Sequence, residues 1–303
     1  IIDQIIDNKL LQNRNYIFTS TAKYRVLVIR LKKMIKKAMK YIIETIIQSK
    51  FKVLGTEIEF IDKGKYKPIK ITLENGKKVE ITGKIDRIDT AQNEEGKYLR
   101  IIDYKSSIKN IDLNEVYAGL QIQLLTYLDA ACKEEDLMPA GILYFNMIEQ
   151  MIKAEKPMEQ EEIEEKIRAN FKMKGLILAD INVVKLHDKN IEKGYSKLVP
   201  AYITKEGTLS MNEKMTKAVT KEQFADLQKY MYKVIKQISN EILGGNIELK
   251  PYYKNKKTPC KYCDYKSICA FNMGGCENKY NYIDSKSKEE ILEKIKKENL
   301  WEI

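Results

Sequence analysis

Two strand-like runs, each carrying a carboxylate in an apolar setting, do most to limit what this chain can fold into. They are Gly83-Lys84-Ile85-Asp86-Arg87-Ile88-Asp89 and Ile101-Ile102-Asp103-Tyr104-Lys105. Asp86 and Asp103 lie 17 residues apart, with a turn around Asn93 to Gly96 between them. Two antiparallel neighbours joined this way place both carboxylates at one edge of a sheet. Hard oxygen ligands so placed suit Mg²⁺ or Mn²⁺, which keep several waters and take phosphate oxygens as further ligands. Lys105 follows Asp103 by two residues and so shares its face of the strand. There its ammonium can hold a water or hydroxide and offset charge on a pentacovalent phosphorane. Asp-x-Lys by itself is most often a surface ion pair. The context gives it weight: a carboxylate on the preceding strand, Glu57 and Glu59 on the strand before that, and a helix after it.

The surrounding pattern reads as a mixed α/β domain. Val28, Leu31, Ile35, Met39, Ile42, Ile43 and Ile46 recur at helical spacing over residues 24–49. Residues 51–61 alternate with period two, and residues 70–73 and 79–88 flank an Asn75-Gly76 turn as a hairpin. Residues 98–104 form a further strand. Residues 113–132 read as one long helix capped by Asp112, and residues 140–147 as a buried strand. The order α-β-β-β-α-β defines a core at 24–148 around a central sheet, after an N-terminal remnant or linker at 1–23. A mostly helical extension follows at 149–245, with helices near 159–171 and 221–243 and loops with short elements between. A Cys-rich segment and terminal helix occupy 246–303.

Gly83-x-x-Asp86-Arg87-x-Asp89, Asp103-x-Lys105 and then Gln123-x-x-x-Tyr127 resemble the RecB-type nucleases of the PD-(D/E)xK superfamily. The resemblance implies a restriction-endonuclease-like core, a central mixed sheet flanked by helices. It implies Asp86, Asp103, Lys105, Gln123 and Tyr127 as catalytic residues. The metal set would be Asp86, Asp103 and the Tyr104 carbonyl, with Glu57 through water and Glu59 as its rival. Gln123 and Tyr127 share a helix face; Gln121 is the rival for Gln123. Such nucleases carry a site His on an early helix. The one His here, His187, lies far downstream and is read as a surface loop residue. The family's His is then expected before Ile1, or this branch does without it.

Cys260, Cys263 and Cys269 form C-x₂-C-x₅-C, and Cys276 follows seven residues later. This clustering points to zinc or an iron–sulfur cluster, and the spacing alone does not choose between them. Cys132 sits at an apolar-periodic position and reads as packed. The motif after such a core, preceded by Gly244-Gly245-Asn246-Ile247 and Pro251-Tyr252, resembles the C-terminal end of the AddB family of helicase–nuclease subunits. Segments 54–60, 119–128 and 171–176 extend the likeness across residues 24–275. It implies a [4Fe–4S] cluster on Cys260, Cys263 and Cys269, with the fourth Cys upstream of Ile1 or replaced by Cys276. It also implies an AddA-type partner subunit. No G-x-x-x-x-G-K-[ST] run is present, so no ATPase is expected from these residues. Between Lys250 and Lys266, six Lys interleave with Tyr252, Tyr253, Tyr262 and Tyr265, a pattern that either holds a single strand or wraps the cluster.

The balance of 54 Lys+Arg against 43 Asp+Glu gives +11, compatible with an acidic polymer or with a Lys-rich solvated surface. At 44% hydrophobic the chain is too apolar to be disordered, and no run of about eighteen uncharged apolar residues suggests a membrane span. Its start, Ile1-Ile2-Asp3-Gln4, has neither Met nor signal-peptide features, so a piece of a longer cytoplasmic chain is expected. The expected function is a metal-dependent exonuclease domain in double-strand break repair and recombination. It would act on single-stranded DNA at duplex ends, fed from a helicase. The alternatives are a non-catalytic DNA-binding or docking scaffold, and a zinc-bearing regulator of nucleic acid.

Overall fold

The computed structural model describes residues 1–12, 17–148, 152, 156–272 and 279–300. Helices α1 (Ile2–Gln12), α2 (Ile17–Ser20) and α3 (Ala22–Gln48) lead into strands β1 (Lys52–Phe60), β2 (Ile69–Thr72), β3 (Lys78–Ile81), β4 (Gly83–Asn93) and β5 (Gly96–Lys105). Then come α4 (Leu113–Tyr117), α5 (Gln123–Glu135), β6 (Met138–Asn146), α6 (Gln160–Phe171), β7 (Lys174–Leu178) and α7 (Ile181–His187). The short strands β8 (Gly194–Tyr195), β9 (Tyr202–Ile203) and β10 (Ala218–Val219) precede α8 (Lys221–Leu243). Strand β11 (Tyr252–Tyr253), helix α9 (Lys266–Cys269), strand β12 (Asn281–Tyr282) and helix α10 (Lys288–Leu300) follow. No helix among the described residues is long and apolar enough to cross a membrane.

The chain divides into two compact units. The first comprises Ile1–Ile58, Lys84–Asn110 and Glu135–Thr220; the second comprises Glu59–Gly83, Ile111–Glu134 and Lys221–Ile303. A mixed sheet in the order β1-β4-β5-β6-β7-β10 organises the first. The β4–β5 pair is antiparallel, β5–β6 is parallel, β6–β7 is antiparallel and β7–β10 is parallel. This is the mixed α/β sheet expected. Two of its strands, β7 and β10, come from the stretch expected to hold helices, loops and short elements. They are five and two residues long, too short to display a period. Gly175 is what lets β7 lie so close to β6. Its φ is +155°, and a Cβ there would stand 2.1 Å from the Ile142 carbonyl oxygen.

Helix α3 begins at the Thr21 cap, whose Oγ1 accepts the Tyr24 N–H at 3.3 Å. It buries Ala38, Tyr41 and Thr45. Tyr41 stacks on Phe171 with ring centroids 4.7 Å apart. Leu31, Ile43 and Ile46, read as part of the apolar stripe, are exposed. Tyr41 and Phe171 join Ile102, Leu143, Phe145 and Ile177 in the hydrophobic core of this unit.

In the second unit the Asn75-Gly76 hairpin forms as expected, with Thr72 opposite Lys78 and Ile69 opposite Ile81. The strand expected to run through residue 88 divides, however. Strand β3 stays with β2 in a two-stranded sheet, whereas β4 joins the six-stranded one. The expected single helix over 113–132 also divides. Asp112 caps α4 as expected, accepting the Asn114 N–H at 2.9 Å. Gly119, at φ +75°, then turns the chain before α5 starts at Gln123.

Candidate active site

Register along the β4–β5 ladder builds the site. Ile88 pairs with Ile101 and Arg87 with Ile102, the last recorded pair, and just beyond it Asp86 and Asp103 lie close enough for the charge of one to act on the other. Opposed residues of an antiparallel pair lie on the same face, with Cβ atoms about 4.5–5.5 Å apart. Here Asp86 Oδ2 accepts the backbone N–H of Tyr104 at 2.9 Å. Asp103 is buried at 3% exposure. Lys105 Nζ lies 2.7 Å from the buried Asp103 Oδ2 and forms an ion pair with it. Burial lifts the Asp103 pKa above the ordinary carboxylate value, and the Asp86 charge adds to the lift against the pull of Lys105. Two hard carboxylates close together, Asp103 buried with Lys105 as its charge partner, form a donor set that fits a divalent cation.

Glu57 and Glu59 are both exposed on β1. Glu57 has φ +54°, a local irregularity in the strand, and its carboxylate pairs with Lys84. Among the described residues no three His, Cys, Asp or Glu side chains gather closely enough to hold an ion. In the second unit, Gln123 Nε2 donates to the Tyr127 hydroxyl at 2.8 Å, and Tyr127 packs edge-on against Phe60. Gln121 is engaged elsewhere. Its Oε1 accepts the Asp112 N–H at 3.0 Å and its Nε2 donates to Glu115 at 2.6 Å.

The opposite face of the same ladder carries a buried charge network that sequence reasoning missed. Asp89 accepts from Arg87 Nε and Nη2 at 2.6 and 2.9 Å, and from Arg100 Nε and Nη2 at 3.0 and 2.8 Å. Arg100 Nη1 lies 3.2 Å from His187 Nδ1, and Nε2 of that His faces the Ala140 carbonyl at 3.3 Å. The reading of His187 as a surface residue is therefore wrong. It is fully buried at the end of α7, stacked on Phe51. Burial, with Arg100 alongside, pushes its pKa down to about 3. The signal was present in the sequence: His187 follows the buried Val183 by four residues, behind the Asp180 helix cap.

Cys260, Cys263 and Cys269 line one pocket of about 240 Å³ with Lys261, Lys266 and Tyr280. Cys260 is half-buried; Cys263 and Cys269 are exposed. Thr258 starts the turn by accepting the Cys260 N–H. The alternative ligand Cys276 lies outside the described residues. Cys132 is half-buried on α5, and burial pushes its thiol up to about 12, with Asp129 adding to the effect. The Tyr-rich run divides. Tyr253 packs on Tyr280 and Tyr282, while Tyr262 and Tyr265 are exposed. Lys254 is buried and paired with Asp112 and Glu115.

Residues 1–270 match the family model described as the PD-(D/E)XK nuclease superfamily. The chain is also similar to proteins named as the B subunits of ATP-dependent helicase/deoxyribonucleases. With that of Alkaliphilus oremlandii it is 41% identical over 305 residues, 98% of this chain and 26% of the relative. With that of Clostridioides difficile it is 41% identical over 300 residues, 96% and 26% respectively. With that of Acetivibrio thermocellus it is 40% identical over 296 residues, 96% and 26%. The chain thus spans about a quarter of the length of the curated relatives it matches.

Proposed function

This chain belongs to the PD-(D/E)XK nuclease superfamily, and from that premise we propose that it is a metal-dependent deoxyribonuclease domain. It hydrolyses phosphodiester bonds of single-stranded DNA as an exonuclease within a helicase–nuclease. The names of its relatives and their greater length support a longer protein working beside an AddA-type subunit in double-strand break repair and recombination. The observation that carries this reading is the closeness of Asp86 to the buried Asp103, with Lys105 in an ion pair beside them. Asp86, Asp103 and the Tyr104 carbonyl would hold Mg²⁺ or Mn²⁺, with Glu57 contributing through water. When bound, such an ion activates water and neutralises phosphate charge. Lys105 holds the attacking water and offsets the charge that develops on the phosphorane. Gln123 and Tyr127, the Gln-x-x-x-Tyr pair, act on the DNA backbone. The test is digestion of end-labelled single-stranded DNA with and without Mg²⁺ or Mn²⁺. Wild type should be active only with metal, and Asp103→Asn should lose at least about 10³-fold in rate. Full activity in Asp103→Asn would refute this assignment.

The absence of a three-acid group among the described residues favours a second reading, a DNA-binding or docking scaffold. On that reading wild type and Asp103→Asn bind DNA ends equally and neither digests them.

Cys260, Cys263 and Cys269 are proposed to give three thiolates to a [4Fe–4S] cluster completed by a fourth Cys. The C-x₂-C-x₅-C spacing and the lining of one pocket by all three support this, although their sulfurs are not gathered closely enough in this structure to hold an ion. Anaerobically purified full-length protein should contain about four irons per chain, and Cys263→Ser should lose both the iron and the visible absorbance. Stoichiometric zinc in place of iron would point instead to a local site.

A further inference from the structure

One residue links the two faces of the β4–β5 ladder. Tyr104 gives its backbone N–H to Asp86 Oδ2 at 2.9 Å, and its phenol oxygen accepts from Arg87 Nη1 at 3.2 Å. Its ring is held edge-on to Phe145, centroids 5.9 Å apart. Arg87 in turn has little freedom. Its fork is occupied by Asp89, and Asp89 is gripped from the neighbouring strand by Arg100. A guanidinium bound through two of its nitrogens is fixed in plane as well as in position. Its third nitrogen is therefore aimed, and it is aimed at Tyr104.

Asp86 has no such anchorage of its own. It is half-buried near the start of β4, and among the described residues the Tyr104 N–H is the one hydrogen-bond donor to its carboxylate. A carboxylate left to rotate must be ordered each time an ion binds, and that ordering subtracts from affinity. Fixing it in advance removes the cost.

We propose that Arg87, clamped by Asp89 and Arg100, is a positioning residue that orients Asp86 through Tyr104, so that the front-face geometry is set by the buried network on the reverse face. The inference rests on the reading of Asp86 and Asp103 as the cation site. It assigns a role to Arg87, Asp89 and Arg100 that contact with substrate would not require.

The experiment is a Mn²⁺ titration of wild type, Tyr104→Phe, Arg87→Lys and Asp103→Asn, read calorimetrically and by the paramagnetic resonance of free Mn²⁺. Thermal unfolding and steady-state digestion are measured alongside. Tyr104→Phe removes only the acceptor of the Arg87 bond; Arg87→Lys keeps the charge and removes the fork. Both should bind Mn²⁺ about tenfold more weakly. Excess Mn²⁺ should restore kcat, with KM for DNA unchanged and with Tyr104→Phe melting as wild type does. A merely structural role would lower the melting temperature without a rescue by metal. If both variants bind Mn²⁺ as tightly as wild type while Asp103→Asn has lost it, the positioning role is overturned and the cation site stands. If wild type binds no more Mn²⁺ than Asp103→Asn, the cation site itself is overturned, and the positioning role with it. Should Arg87→Lys fail to fold, Tyr104→Phe decides alone.

Discussion

Lys105→Ala is expected to lower kcat on single-stranded DNA by about 10²–10³-fold while leaving KM for DNA within about twofold. The ammonium lies beside Asp103 and is 28% exposed, so it is both held and open to a reacting group. Its charge matters most when negative charge builds on the phosphorane, which exists in the transition state and not in bound DNA. On the proposed function other lysines of a +11 chain would carry the general attraction for the strand, so its removal should cost little ground-state binding. Single-turnover rates at saturating Mg²⁺ would separate the two. A large rise in KM with kcat unchanged would show that Lys105 holds DNA rather than acting in the chemical step.

Asp89→Ala is expected to destabilise the fold by about 3–5 kcal/mol, the range for breaking a buried ion pair by deleting one partner. Asp89 and Arg100 are both fully buried, and Arg87 is 4% exposed. Burial opposes the Arg87 charge, yet the hydrogen bonds and charge of Asp89 more than offset it and hold the guanidinium above its usual range. Arg100 is depressed, by burial first, although Asp89 works against that. Deleting the carboxylate leaves two guanidiniums facing each other in the core. His187 offers no compensation, because it is neutral. Urea unfolding with an unchanged slope would measure the loss. Glu57→Ala, which breaks an exposed pair with Lys84, should shift stability by no more than about 0.5 kcal/mol and serves as the control. A loss of under 1 kcal/mol in Asp89→Ala would show that water replaces the carboxylate.

The part of this molecule most legible in the sequence is the part governed by local rules. Helix α8 begins and ends where its periodicity and Gly244-Gly245 place it. The Asn75-Gly76 turn, the Asp112 cap and the adjacency of β4 and β5 each follow from a few neighbouring residues. Features set by distant partners were not legible. Strands β7 and β10 pair through residues some 40 positions apart, Ile177 with Ala218. The helix break at Gly119 was hidden because Val116, Leu124 and Leu128 keep an apolar rhythm across it. The closeness of Asp86, Asp103 and Lys105 was readable because strand alternation and a short hairpin put them together. The burial of Asp89 was not, since a carboxylate in a polar motif is usually solvated and its two Arg partners lie two and eleven residues away. His187 was misplaced for the same reason: its neighbours are Phe51, Arg100 and Ala140.

Alternation along β4 and β5 places Asp86, Asp103 and Lys105 on one side and Arg87, Asp89 and Arg100 on the other, within the same two stretches of chain. Whatever Arg87 contributes to Asp86, the pair of Asp89 and Arg100 answers also to the demand of folding, although the two sets are interleaved letter by letter. On the function proposed above, a descendant that had lost that activity would be free to lose Asp86, Asp103 and Lys105, while Asp89 and Arg100 would persist for as long as the domain had to fold. Among related chains, the reverse-face pair would then report ancestry and the front-face trio competence. A motif score that averages over both would grade a dead member as nearly a live one; counting alternate positions separately would tell them apart.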